Sequence, residues 1–186
     1  IQALSRIKDK SVIPQLLDFK NNVERYDTKT YDTNRLYCNT LVALAQLGEK
    51  SVGANLIDIL KHPEKSGDFN KDYLVNVTGS ICDKTLLPEV VEMLKNGKGI
   101  TVTYAVTILN STTDKSIIPE LISLLESNYD KQLSFPDRRC PGATRLTRFK
   151  YVVNGSLKKI TNQSFSKPEE WREWWQNNKD KIEDEK

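Results

Sequence analysis

The sequence has little of what catalysis, metal binding or membrane insertion usually requires. It contains one histidine, His62, and three cysteines, Cys38, Cys82 and Cys140, an odd number without zinc-type spacing. No apolar run approaches the roughly 18 residues of a transmembrane helix, and no signal peptide is visible. A net charge of +3 is too small to indicate nucleic acid or an anionic membrane by itself. We therefore expect no catalytic residues, no metal site and no cofactor.

The chain has 186 residues, which suits one compact domain or one continuous array of repeats. Because Ile1 already lies in a helix-like pattern, we expect a trimmed or mature fragment. The compartment therefore stays open between the cytoplasm and export with the signal removed. A disulfide framework is not expected, since two cysteines resemble small core residues and the third a loop thiol. We expect a monomer.

One short phrase occurs four times and is the strongest pattern in the sequence. It consists of an acid, lysine, serine or threonine, two mostly apolar residues, usually proline, a polar residue and two aliphatic residues. Its copies begin at Asp9, Glu49, Asp83 and Asp114. These acids are 40, 34 and 31 positions apart (49−9, 83−49 and 114−83), a spacing typical of stacked helical repeats.

Each part of the phrase favours the start of a helix. The serine or threonine is predicted to cap the helix by accepting a hydrogen bond from an unpaired backbone N–H. The proline lies in the first turn, where an N–H would have no intrahelical partner. Aliphatic residues then follow at helical spacing, as at Ile118, Leu121 and Ile122. We interpret the acids as turn formers and caps rather than catalytic groups.

A second helical pattern precedes three of the copies, over residues 35–47, 70–81 and 100–110. Residues 100–107 taken alone favour a strand, but their place in the repeat predicts a helix. The sequence therefore predicts an all-α fold, an α–α superhelix of about four to five helix pairs. We assign one domain over residues 1–186, with a half repeat at 1–20, repeats at 34–61, 69–95 and 100–127, and a C-terminal long helix and tryptophan cap at 144–180.

The C-terminal part begins after the longest break in the pattern, residues 127–143. One long helix is expected over residues 144–160. Trp171, Trp174 and Trp175 then fall on one face of a further helix, being related as i, i+3 and i+4. We interpret them as a structural cap that closes the end of the array rather than a ligand site. Trp174→Ala is accordingly expected to cost roughly 3–5 kcal/mol of stability.

The phrase and its preceding helix resemble the HEAT-like repeats of the phycobilisome-lyase type, over about residues 36–125. The tail, Thr161-Asn162-Gln163-Ser164-Phe165 followed by the three tryptophans, resembles the ending of bacterial HEAT-repeat proteins, Thr-Gly-Gln-x-Phe and Trp-x-x-Trp-Trp. Asn162 replaces the usual glycine and still permits a left-handed turn. The resemblance implies a helical-repeat fold and a habit of binding macromolecules, and it supplies no catalytic residues.

Three functions are compatible with this sequence. A non-catalytic scaffold that binds a protein or peptide through a solenoid surface is the interpretation we favour. The alternative is a nucleic-acid-binding protein, of the kind of the HEAT-like DNA glycosylases, that uses the basic region 138–159. A lyase-like enzyme or chaperone would need a pocket thiol or acid, and no residue stands out for that role.

The basic region is the binding site suggested by charge. Residues 138–159 contain seven lysines and arginines and no acid. A helix over 144–160 would place Arg145, Arg148 and Lys159 on one face, suited to an acidic partner or phosphates. The other interpretation is a solvated face balanced by acids of neighbouring helices. The candidate patch consists of Arg138, Arg139, Arg145, Arg148, Lys150 and Lys159.

Overall fold

The computed structural model describes residues 9–25, 31–136 and 144–183. Within these ranges, α-helices pack against α-helices, and the strands form one two-stranded sheet. The predicted all-α class is confirmed. The chain forms two compact units, Ile1–Ile81 and Cys82–Lys186, and each has its own arrangement of helices.

None of the helices in the described ranges combines the length and the apolar character that a membrane crossing requires.

The first unit is built from four described helices. These are α1 (Ile13–Arg25), α2 (Tyr31–Gln46), α3 (Gly53–Lys61) and α4 (Lys71–Ile81). Helix α1 packs on α2, while α2 and α3 both pack on α4. Helix α2 begins earlier than the predicted residue 35, and a short 3-10 helix, Pro63–Ser66, precedes α4.

The second unit contains five described helices and a hairpin. They are α5 (Leu87–Asn96), α6 (Ile100–Ser111), α7 (Ile118–Glu126), β1 (Gln132–Pro136), β2 (Thr144–Arg148), α8 (Phe149–Thr161) and α9 (Pro168–Glu183). Helix α5 packs on α6, and both α6 and α7 pack on α8. Helix α9 then packs on α7, so α7 lies between the last two helices of the chain.

The recurring phrase starts a helix at each of its four copies, and its acid makes the cap. The acid accepts a hydrogen bond from the backbone N–H two residues later in every copy, at Asp9 (2.9 Å), Glu49 (3.0 Å), Asp83 (2.9 Å) and Asp114 (2.8 Å). The prediction that the serine or threonine side chain caps the helix is therefore wrong. A charged carboxylate is a stronger hydrogen-bond acceptor than a hydroxyl group. Its negative charge also interacts favourably with the positive end of the helix dipole.

Asp114→Ala is expected to lower the free energy of unfolding by about 1 kcal/mol, because the Ser116 N–H loses its acceptor. Chemical denaturation measures the change. Asp114→Asn is the matched control, since its amide oxygen still accepts the hydrogen bond, and it should recover more than half of the loss. Equal losses in the two variants would contradict the capping role.

The core is formed by residues that recur at the same place in each phrase. Leu16, Leu56, Val90 and Leu121 occupy equivalent positions and are at most 4% exposed. Burial of each such side chain contributes about 1.5–3 kcal/mol. The helical packing also decides the ambiguous segment, because residues 100–111 form α6 despite their β-branched composition. Packing of Val102, Tyr104 and Ile108 into the core outweighs their local preference for a strand.

The predicted long helix over residues 144–160 is wrong at its start. Residues 144–148 form β2, which pairs antiparallel with β1 in the register Gln132↔Arg148 to Pro136↔Thr144. The helix begins only at Phe149, whose N–H donates to the Lys131 carbonyl at 2.9 Å. The two β-branched threonines of β2 suit a strand, and pairing with a segment upstream provides backbone partners that sequence periodicity does not reveal.

Candidate functional site

The residues of the predicted basic patch do not form one helix face. Arg145 and Arg148 lie on β2, opposite Phe135 and Gln132, whereas Lys159 lies near the end of α8. Consecutive strand residues point to opposite faces, so Arg145 and Arg148, three positions apart, lie on different faces of the hairpin. The expected common face was wrong because it assumed a helix. Arg138 and Arg139 are outside the described residues.

Two of the four described basic residues are engaged inside the unit. Arg148 donates to Asp130 Oδ2 through Nε (3.0 Å) and Nη2 (2.8 Å). Lys159 Nζ donates to the Asn110 carbonyl. The Lys150 backbone N–H also donates to Asp130, at 3.2 Å. Burial raises the pKa of Asp130, but these hydrogen bonds and the charge of Arg148 outweigh burial and hold the pKa below its usual value. The contacts favour a structural role for Arg148 and Lys159.

An aromatic pair lies at the base of the hairpin, beside Lys95 of α5. Phe149 is 0% exposed and meets Tyr129 edge to face, with ring centroids 4.9 Å apart. Lys95 Nζ lies 4.8 Å from the centre of the Tyr129 ring, within cation–π distance. Burial raises the pKa of Tyr129. The role of this cluster is structural, since it fixes the point at which β2 turns into α8.

The tryptophans of α9 divide between the core and the surface. Trp171 is 0% exposed, whereas Trp174 and Trp175 are half-buried. Trp171 meets Phe165 and Trp174 edge to face, with centroids 4.8 and 6.2 Å apart. Its indole N–H donates to Asn154 Oδ1 at 2.7 Å. Trp171 is thus the tryptophan that packs into the core of this unit, and the capping role of the three tryptophans stays a prediction.

Hydrogen bonds fix the N-terminal end of α9, the helix that carries the tryptophans. Glu170 reaches back and accepts from the backbone N–H groups of Ser166 and Lys167, both at 3.0 Å. These hydrogen bonds, that of Lys167 first, lower the pKa of Glu170. One turn before, Asn162 adopts the left-handed conformation (φ 55°, ψ 25°) expected from the sequence. Arg172 pairs with Glu126 at 2.6 Å and ties α9 to α7.

Asn154→Ala is expected to lower the free energy of unfolding by about 1 kcal/mol, because the Trp171 indole N–H loses its acceptor. Asn154 also donates to the Phe165 carbonyl at 3.3 Å, so it joins α8 to the segment before α9. Chemical denaturation gives the loss, and Asn154→Asp should retain part of the stability because it keeps an acceptor oxygen. A loss in Asn154→Ala below about 0.3 kcal/mol would show that the hydrogen bond contributes little.

Two adjoining cavities lie where α9 passes the start of α7. The larger, about 390 Å³, is lined by Lys115, Ile118, Ile160, Trp174, Lys181 and Ile182, among others. The smaller, about 210 Å³, is lined by Lys84, Lys115, Ser116, Glu120, Trp175 and Ile182, among others. Lys115 and Ile182 belong to both linings, so the two cavities are direct neighbours. We call them together the tryptophan groove.

The groove combines apolar walls with positive charge. Of the described residues that line it, three are lysines, Lys84, Lys115 and Lys181, and one is an acid, Glu120. Lys84 and Lys115 are the lysines of two successive phrases, Asp83-Lys84 and Asp114-Lys115. The repeat therefore brings equivalent residues from two copies to one site. The groove was not predicted from the sequence, although the lysine that recurs in every phrase was a signal for it.

The histidine and the two described cysteines lie in surroundings that favour a structural role. His62 is at the C-terminal end of α3, and its Nδ1 lies 3.0 Å from both the Asp58 carbonyl oxygen and Asp58 Oδ1. Cys38 and Cys82 are buried and form no disulfide, and burial raises the pKa of Cys38 to about 11. Cys140 is outside the described residues. In the part of the chain that is described, no group of three or more histidine, cysteine, aspartate or glutamate residues could hold a metal ion.

Compared with known proteins, the chain matches no family model, no curated protein and no solved structure.

Proposed function

We propose that this chain is a non-catalytic binding module of the HEAT-like type, and that the tryptophan groove holds a short segment of a partner protein. The observation that carries the proposal is a groove whose larger cavity, about 390 Å³, is lined by the half-buried Trp174 with Lys115 and Lys181, while the half-buried Trp175 lines the smaller cavity beside it. Cavities of this size can receive small ligands or side chains, since binding pockets commonly measure about 300–1,000 Å³. The HEAT-like assignment is supported by the four phrases and the capped helices that follow them.

The composition of the groove favours a protein segment as its ligand. Tryptophan is enriched among the residues that dominate protein interfaces, because its large ring buries much apolar area with few rotatable bonds. Trp174 and Trp175 are held on a helix whose inner face is fixed by the buried Trp171. The rings are therefore ordered before a ligand arrives, which lowers the entropy cost of binding.

The groove offers little for chemistry. Among the residues that the structure describes, its lining contains one carboxylate, Glu120, and neither histidine nor cysteine. Ser116 lies in the smaller cavity, where the described lining residues include no histidine that could act as its base. A nucleophile needs an adjacent base or a lowered pKa to react, so recognition fits this site better than catalysis.

Selection from a random peptide library displayed on phage tests the proposal on the complete chain. We expect enriched peptides that bind the purified protein and whose affinity falls roughly tenfold or more in Trp175→Ala, as for a residue central to an interface. Affinity is measured by fluorescence anisotropy, and circular dichroism verifies that the variant is folded.

Tyr151→Ala is the matched control, because Tyr151 is an aromatic residue of the same unit that is 73% exposed and lies outside the groove lining. Its affinity should equal that of the unchanged chain. The proposal fails if no peptide is enriched, or if Trp175→Ala and Tyr151→Ala bind equally well. It also fails if single-stranded RNA or DNA binds in the groove with steep salt dependence and peptides do not.

A further inference from the structure

We infer that the tryptophan groove recognises a carboxylate next to an apolar side chain; this inference rests on the proposed function and specifies its ligand. The segment bound would thus carry an aspartate, glutamate or terminal carboxylate beside a residue such as leucine. The two cavities differ in chemistry, and their shared wall determines how far apart the two groups can be.

The smaller cavity supplies the carboxylate subsite. Lys84 and Lys115 bring two ammonium groups to its lining, and the Ser116 side chain is a further polar group there. The carboxylates that precede these lysines are turned to the helix starts, since Asp83 accepts from the Thr85 N–H at 2.9 Å and Asp114 from the Ser116 N–H at 2.8 Å. Among the described residues of this lining, Glu120 is the one acid beside two lysines, so their lysine charge exceeds their carboxylate charge.

The larger cavity supplies the apolar subsite. Ile160, Trp174 and Ile182 are half-buried and supply the accessible apolar surface of this space, whereas Ile118, also in the lining, is 0% exposed. These side chains come from α7, α8 and α9, so three helices fix the walls. An aliphatic group placed there removes apolar surface from water on both the ligand and the protein.

Lys115 and Ile182 connect the subsites because each lines both cavities. A ligand that occupies both must therefore place its negative charge directly beside its apolar group. An isolated anion would leave the apolar subsite empty, and an uncharged apolar group would leave the carboxylate subsite empty. The expected preference is modest, because Lys84 is exposed and an exposed ion pair changes affinity by no more than about fivefold.

Two small probes that differ only in charge test the inference. N-acetyl-leucine carries a carboxylate beside a leucine side chain, and N-acetyl-leucinamide replaces the carboxylate by an amide. Both are titrated into the isotope-labelled complete chain, and the indole N–H signals of Trp174 and Trp175 are followed by NMR. We expect N-acetyl-leucine to shift these signals and to bind about threefold to fivefold more tightly than the amide.

Lys84→Gln should abolish the preference for the carboxylate and leave binding of the amide unchanged. Lys158→Gln, an exposed lysine of α8 outside the groove lining, is the matched control and should keep the preference. Equal affinity of the two probes, or a preference that persists in Lys84→Gln, would overturn the inference. If selected peptides bind through Trp175 but lack acidic residues, the subsite assignment fails and the proposed function stands. If neither peptides nor probes perturb the groove, both fail.

Discussion

Trp171→Ala is expected to lower the free energy of unfolding by roughly 3–5 kcal/mol. The ring is 0% exposed, packs edge-on against Phe165 and Trp174, and donates to Asn154 at 2.7 Å. Its removal leaves a cavity between α8 and α9 and an unpaired side-chain oxygen. Chemical denaturation followed by far-ultraviolet circular dichroism measures the loss without depending on tryptophan fluorescence.

Trp171→Phe is the informative control, because it keeps an aromatic ring and loses the indole N–H. Its loss should fall between zero and that of the alanine variant. Tyr151→Ala should change stability by less than about 0.5 kcal/mol, since that side chain is 73% exposed. A loss below about 1 kcal/mol in Trp171→Ala would mean that α9 is not part of the cooperative structure. The structure also places the largest loss at Trp171 rather than Trp174, which is only half-buried.

Gly97→Ala and Gly155→Ala are expected to change stability in opposite directions. A Cβ at Gly97 would lie 2.2 Å from the Met93 carbonyl oxygen and 3.2 Å from Thr101 Cγ2. Since the first of these atoms belongs to the backbone of α5, relief requires a shift of the chain, and we expect a loss of about 1–3 kcal/mol. The close approach follows from the Gly97 N–H donating to the same carbonyl at 3.0 Å.

At Gly155, within α8, a Cβ would meet nothing within 4 Å. Alanine there restricts the unfolded chain without a clash, so Gly155→Ala should stabilise the protein by about 0.4–1 kcal/mol. Both variants are compared with the unchanged chain by urea denaturation. Similar effects of the two substitutions would show that backbone contact at Gly97 is unimportant.

The helical parts of this fold were predictable because their information is local and repeated. Each phrase combines a cap, a first-turn proline and aliphatic residues at helical spacing, and four copies support one another. Even the β-branched segment before Asp114 was placed correctly, since its position in the repeat outweighed its composition. The exact capping group was less clear, because an acid and a hydroxyl stand two residues apart and both can accept a backbone N–H.

The hairpin could not be predicted in the same way. Whether residues 144–148 become a strand depends on pairing with residues 132–136, and the sequence between them carries no short hairpin turn signal such as Asn-Gly. Once Arg145 lies on a strand, the helix face inferred for it no longer exists. The basic patch was therefore predicted wrongly because the secondary structure was wrong, not because the charges were.

The tryptophan groove depends on residues that are far apart in the chain. Lys84, Lys115, Ile160 and Trp174 meet only because α7 packs on both α8 and α9. Sequence periodicity identified the side of α9 that carries the tryptophans, but it did not distinguish the buried ring from the two half-buried ones. That distinction arises from the edge-on contact with Phe165 and the hydrogen bond to Asn154.

Each unit contains a buried cysteine, and the rate at which a thiol reagent labels that cysteine reports how often the unit opens. Cys38 belongs to the first unit and Cys82 to the second, and both are 0% exposed. A thiol reagent attacks the thiolate, which is scarce where burial raises the pKa of Cys38 to about 11. In a Cys140→Ser variant, Cys38 and Cys82 should therefore be labelled only when the unit that contains each of them opens. One cooperative domain, as the repeat pattern predicts, would release both thiols at a common rate, whereas different rates would show two units that open independently.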